Sequence, residues 1–162
     1  KKYKNLITII ILRHVQRRRE IINTVKNLDL KIHCHSSNKN IDTNTDIYLV
    51  DTYGETKSFF KMIKIVFLGG SLIKHGGQNP LEAARFGCKI LHGPNVNNFK
   101  EIYNLLKQNN QSFKINSVQQ LIFNIDKLSK KNASSIILRN RINQLGKKIL
   151  KSTANEMNFL IN

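Results

Sequence analysis

The segment of this chain best suited to chemistry is Gly69-Gly70-Ser71-Leu72, followed by Gly76-Gly77-Gln78-Asn79-Pro80-Leu81-Glu82. With no Cβ in the way, its glycines let backbone amides approach a ligand closely. A short helix pattern starts at Pro80, a residue suited to a first helical turn because its missing N–H costs little there. The N-terminus of such a helix favours negative charge. Glu82, in that first turn, is placed to accept hydrogen bonds from hydroxyls. Phosphate held by amides and sugar hydroxyls held by an acid are what a nucleotide sugar requires. Each residue alone has a plainer meaning: turn glycines, Asn79 as an N-cap, Glu82 as a partner of the helix dipole.

Other polar groups stand at the ends of apolar, β-branched runs. Leu6 to Leu12 leads to Arg13-His14. Ile47 to Val50 leads to Asp51-Thr52-Tyr53-Gly54-Glu55, Ile63 to Leu68 leads to Gly69-Gly70-Ser71, and Lys89 to Leu91 leads to Gly93-Pro94. Such runs read as buried parallel strands. Helix patterns fall between them: about Gln16 to Asn27, Glu55 to Met62, Pro80 to a C-cap at Gly87, and Asn98 to Gln108. A second strand is expected near Leu30 to His35 and a last one at Phe113 to Ile115. Two helices close the chain, about Val118 to Lys130 and Ala133 to Lys151. Strands alternating with helices predict an α/β fold with a doubly wound, mostly parallel, Rossmann-like sheet. Ligands of such sheets sit outside the carboxyl ends of the strands, where these polar groups fall.

The length of 162 residues suits one domain, and a hydrophobic fraction of 40% supplies a core. No apolar run is long enough to cross a membrane as a helix. The chain opens Lys1-Lys2-Tyr3-Lys4, without Met and without a signal-type apolar stretch behind it, and so reads as a piece of something longer. Cys34 and Cys88 lie far apart, which fits a reduced setting. His33-Cys34-His35 alternates across a strand, so the three side chains cannot easily share a metal, and no metal site is expected. The net charge of +17 favours anionic partners. From Lys127 through Lys151 there are eight Lys or Arg residues and no acid.

Taken together these motifs resemble the C-terminal half of the bacterial 3-deoxy-D-manno-octulosonic acid (Kdo) transferases. The matching pieces are Arg13-His14 with Arg17, Asp51-Thr52 with Gly54-Glu55, Gly69 to Leu72, Gly76 to Glu82, and Gly93-Pro94 with Asn98-Phe99. The resemblance implies the C-terminal half of a two-domain GT-B glycosyltransferase, using CMP-Kdo as donor and no cofactor or metal. It maps CMP contacts onto Leu12 and Arg13, onto Tyr53, Gly54 and Glu55, and onto Asn79, Pro80, Leu81 and Glu82; amides near Ser71 join them. Arg13 then pairs with the phosphate and Glu82 with the ribose hydroxyls. This chain departs from the family at Leu12 and at Val15-Gln16, where Pro and Pro-Glu are usual, and at Tyr53, where Met is usual. Those changes bear most on recognition of the cytosine.

The family's N-terminal half carries the membrane anchor, the acceptor surface and the general base. No catalytic residue is therefore assigned within this chain, although His14, His75 and His92 are the local candidates for base chemistry. The implied function is transfer of Kdo to lipid IVA in lipopolysaccharide biosynthesis, with this chain as the donor-binding half. Residues 1–132 would form the CMP-Kdo-binding domain and 133–162 its basic helical tail. Implied partners are CMP-Kdo, lipid IVA through the N-terminal half, and an anionic membrane surface. The implied location is peripheral, on the cytoplasmic face of the inner membrane. Two alternatives stand beside this: another GT-B enzyme using a UDP-sugar, and a basic nucleic-acid-binding module. The second lacks aromatic stacking platforms among its basic runs and leaves the glycines unexplained, so no nucleic-acid partner is expected.

Overall fold

The computed structural model describes residues 6–130 and 135–161. The expected boundary at 132/133 and the first residues of the chain lie outside them. The chain divides into two compact units, Lys1–Ser58 and Phe59–Asn162.

The first unit carries β1 (Thr8–Ile11), α1 (Arg18–Lys26), β2 (Ile32–Cys34) and β3 (Ile47–Val50). A single 3-10 turn, Val15–Arg17, precedes α1. The strands form a parallel sheet in the order β1-β3-β2. Central β3, Ile-Tyr-Leu-Val, is the most buried of the three and hides Leu49 and Val50 on its two faces. This is the pattern of a strand covered on both sides. α1 buries Val25, with Ile21 and Ile22 half-buried, as the sequence spacing predicts. His33 and His35 both reach Tyr48 on the neighbouring strand. His33 stacks on the phenol ring at 5.4 Å, and His35 Nδ1 is 2.7 Å from its hydroxyl.

In the second unit β4 (Ile65–Leu68), β5 (Lys89–His92) and β6 (Ser112–Lys114) form another parallel sheet, in that order. The expected sheet is thus present as two three-stranded parallel sheets, one in each unit. α2 (Thr56–Met62) spans the division between the units, and α3 (Leu81–Arg85) follows the glycine loop. Gly87, at φ +80°, ends α3 by donating to the Ala84 carbonyl at 2.9 Å. α4 (Lys100–Gln108) buries Tyr103 and Leu106. Ser117 caps α5 (Val118–Ser129) by accepting from the Gln120 amide, while Gln120 Oε1 accepts from Asn116 N–H. The last helix, α6 (Ser135–Ile161), runs past the expected end at Lys151. Its final stretch contains neither Gly nor Pro to stop it.

The core of this unit gathers Phe60, Ala83, Ala84, Cys88, Ile90, Val96, Tyr103, Leu106 and Ile142. Ile142 brings α6 into it, beside α3. Cys88 is fully buried, its thiol 3.5 Å from the carbonyl oxygens of Phe60 and Ile63. Burial pushes that thiol up to about 11. Buried Gln111 donates to the Ala84 carbonyl at 2.8 Å, while its own Oε1 has no partner among the described residues.

Candidate functional site

Parallel pairing brings the first unit's candidates together in one step. β1 and β3 run in register with Ile11 opposite Val50, so Leu12-Arg13 and Asp51 to Glu55 leave adjacent strands side by side. Leu12 extends the ladder by donating its N–H to the Val50 carbonyl at 3.2 Å. Arg13 and Tyr53 are exposed, Tyr53 by 64%. Gly54 turns the chain at φ +89°, and among the described residues nothing lies within 4 Å of where a Cβ would stand. Glu55 is half-buried, and its carbonyl accepts the Ser58 amide at 3.0 Å.

Behind that turn sits a clamp that sequence reasoning missed. Asp51 is buried at the end of β3. Its Oδ1 accepts from the Ser36 amide at 2.9 Å, and its Oδ2 from the Ser36 hydroxyl at 2.7 Å. Arg18 Nε lies 2.6 Å from the same Oδ2. Burial by itself would raise the Asp51 pKa. The Ser36 hydrogen bonds and the Arg18 charge outweigh it, and the carboxyl sits below its ordinary range. Next to it the Thr52 hydroxyl is buried with no partner among the described residues.

In the second unit β4 and β5 pair with Leu68 opposite His92, so Gly69 to Ser71 and Gly93 leave side by side. Ser71 fastens them. Its fully buried hydroxyl donates to the Leu68 carbonyl at 2.7 Å and accepts from Gly93 N–H at 2.8 Å. Its carbonyl accepts the Asn95 amide at 2.9 Å. The Ser71 side chain is thus committed inside the protein. A Cβ on Gly93 would lie 2.3 Å from that same Ser71 carbonyl oxygen, and one on Gly76 would lie 2.3 Å from Asn98. Gly77 N–H closes the loop on the Gly70 carbonyl at 3.2 Å.

Asn79 does what an N-cap does: its Oδ1 accepts the Leu81 amide at 3.0 Å. Pro80 is buried and Leu81 half-buried. Glu82 is half-buried in the first turn of α3, and its carboxylate has no hydrogen bond or ion pair among the described residues. The histidines differ from one another. His14 and His75 are exposed. His92 is buried, donates from Nδ1 to the Gly93 carbonyl at 2.7 Å, and packs on the Tyr103 ring at 4.3 Å. Burial lowers its pKa, the Gly93 bond opposes that, and Lys114 adds to the lowering. Tyr103 in turn donates to the Gln78 carbonyl at 2.9 Å, which pins the far arm of the glycine loop. Burial drives that phenol up to about 12.

No family model matches the chain. It is 34% identical over 116 residues to the 3-deoxy-D-manno-octulosonic acid transferase of Haemophilus influenzae, covering 72% of this chain and 27% of that one. It is 39% identical over 114 residues to the enzyme of the same name from Rickettsia prowazekii, covering 70% and 24%. Among solved structures, the C-terminal CMP-Kdo-binding domain of WaaA from Acinetobacter baumannii superposes with a TM-score of 0.76 at 26% identity. That match covers 86% of this chain and 72% of the domain. Fold and strand-end loops therefore define an α/β domain of the GT-B glycosyltransferase type. Within that class the chain is a relative of the Kdo transferases, as its motifs implied. It spans about a quarter of the length of the curated relatives it matches.

Proposed function

We propose that this chain is the donor-binding part of a Kdo transferase. Support comes from its likeness to a domain that binds CMP-Kdo, together with the placement of the donor-contact motifs at strand ends. Arg13, exposed after β1, supplies charge to the CMP phosphate. Gly54 and the amides beside it approach the nucleotide where no Cβ obstructs. Glu82, with its carboxylate unengaged among the described residues, accepts from the ribose hydroxyls. The buried Ser71 hydroxyl shapes the loop, so its contribution to the donor comes from the backbone.

In this proposal the acceptor is lipid IVA in lipopolysaccharide biosynthesis, at the cytoplasmic face of the inner membrane. The acceptor hydroxyl oxygen bonds to the anomeric carbon of Kdo as the bond to the CMP phosphate breaks. Its proton passes to a base outside this chain. These residues position the donor and stabilise charge on the departing phosphate, which is where preorganised dipoles act most strongly. No metal or cofactor enters the proposal.

Calorimetric titration with CMP, against UMP and UDP, tests it. Saturable binding that prefers CMP is expected. Arg13→Ala and Glu82→Ala should each weaken it about tenfold or more, roughly 1.4 kcal/mol. Unchanged CMP affinity in both folded variants refutes the site. Preference for UDP moves the chain to a different GT-B enzyme.

A further inference from the structure

Three lysines share one cleft at the amino ends of β2 and β3. The cleft holds about 430 Å³ and is lined by Lys26, Lys31 and Lys39 around Leu30 and Ile32. Lys26 ends α1, Ile32 opens β2, and Thr45, also on the cleft, stands just ahead of β3. Arg13 and Tyr53 to Glu55 follow the opposite, carboxyl ends of this parallel sheet, so the cleft is separate from the donor residues of its own unit. Its volume falls within the range of roughly 300–1,000 Å³ usual for small-molecule sites.

None of the three ammonium groups has a hydrogen bond or ion pair among the described residues. Among the described residues one carboxylate, Asp42, also faces the cleft. Its Oδ1 already accepts the Asn44 amide at 2.8 Å. The cleft thus carries a surplus of positive charge over an apolar floor. Lysine ammoniums are compact charges with rotatable donors, suited to phosphate oxygens, whereas a planar carboxylate is gripped best by Arg. Among the described residues no Arg lines the cleft; Asn40 and Thr45 add neutral polar groups.

We propose that this cleft binds a phosphate-bearing ligand, with the phosphate on Lys26, Lys31 and Lys39 and the adjoining carbon skeleton on Leu30 and Ile32. The phosphate can belong to a soluble phosphorylated molecule or to a lipid headgroup.

Glycerol phosphate is the soluble probe, titrated into the full chain at about 0.15 M salt, where long-range attraction is screened. Amide shifts in the protein's NMR spectrum should saturate at Leu30 to Ile32 and Asn40 to Thr45. The K26Q/K31Q/K39Q variant changes only exposed side chains and should weaken binding about tenfold or more. Asp42→Asn, which keeps an acceptor for the Asn44 amide, should tighten it. Co-sedimentation with phosphatidylglycerol vesicles identifies the source: binding that falls with the triple variant points to a headgroup, binding that does not fall points to a soluble ligand. Shifts that never saturate, or saturable binding that both variants leave unchanged, overturn the proposal.

Discussion

Gly93 admits no side chain, because the Ser71 carbonyl oxygen occupies the place its Cβ would take. Gly54 owes its identity to something else, a left-handed backbone in open space. The two should therefore respond differently to the same change. Gly93→Ala is expected to cost about 3 kcal/mol by forcing two strand-end loops apart. Gly54→Ala should cost only about 1–2 kcal/mol of backbone strain. Urea unfolding measures both, and equal losses would contradict the close-approach account. Ser71→Ala should cost about 2–3 kcal/mol, since it strands the buried Gly93 N–H and removes a donor from the Leu68 carbonyl. At this scale the sequence disclosed residue types well and commitments poorly. Asn79 as a cap and Gly87 as a helix stop were legible from local rules. The inward turn of the Ser71 hydroxyl was not, because a hydroxyl beside glycines reads equally well facing a ligand. Nor was the Asp51 clamp, whose partners Arg18 and Ser36 lie 33 and 15 positions away in the chain.

Among the elements, the ends of β3 and β5 each carry a buried ionisable group, and both tie stability to pH. Asp51 titrates below its unfolded value of 3.8, so its contribution is complete above that value and is lost as pH falls through the lower folded one. His92 is buried as the neutral ring, with its pKa below the ordinary 6.5. The unfolded chain takes up that proton first, so stability should begin to fall once pH drops below 6.5. Thermal melts between about pH 7.5 and 5.5 should show this slope in the parent chain and a shallower one in His92→Gln. α6 offers a test of another kind. Gly146 sits exposed in its interior, and among the described residues nothing lies within 4 Å of where a Cβ would stand. Gly146→Ala should stabilise the helix by about 0.5–1 kcal/mol, visible as higher helical ellipticity. The strands were legible because their β-branched runs are short and continuous. The length of α6 was not, since its amphipathic pattern fades after Lys151 while nothing breaks the helix.

For the whole molecule, alternation of strands and helices was enough to predict parallel α/β architecture. The division after Ser58 escaped that reasoning, because periodicity tells which residues form strands and not which strands pair. The charge of +17 bears on the chain as a body. Self-repulsion destabilises the compact state and is screened by salt, so the melting temperature should rise between about 0.01 and 0.15 M ionic strength. A melting temperature that falls over that range would mean that ion pairs outweigh repulsion. One buried group gives the second unit a built-in clock. The Cys88 thiol is sealed beneath the Phe60 and Ile63 carbonyls and held protonated, whereas Cys34 is half-buried. Because only a thiolate reacts, an alkylating reagent should mark Cys34 promptly and reach Cys88 only when that unit opens. The lag between the first adduct and the second, read by mass, would time the opening without any engineered label.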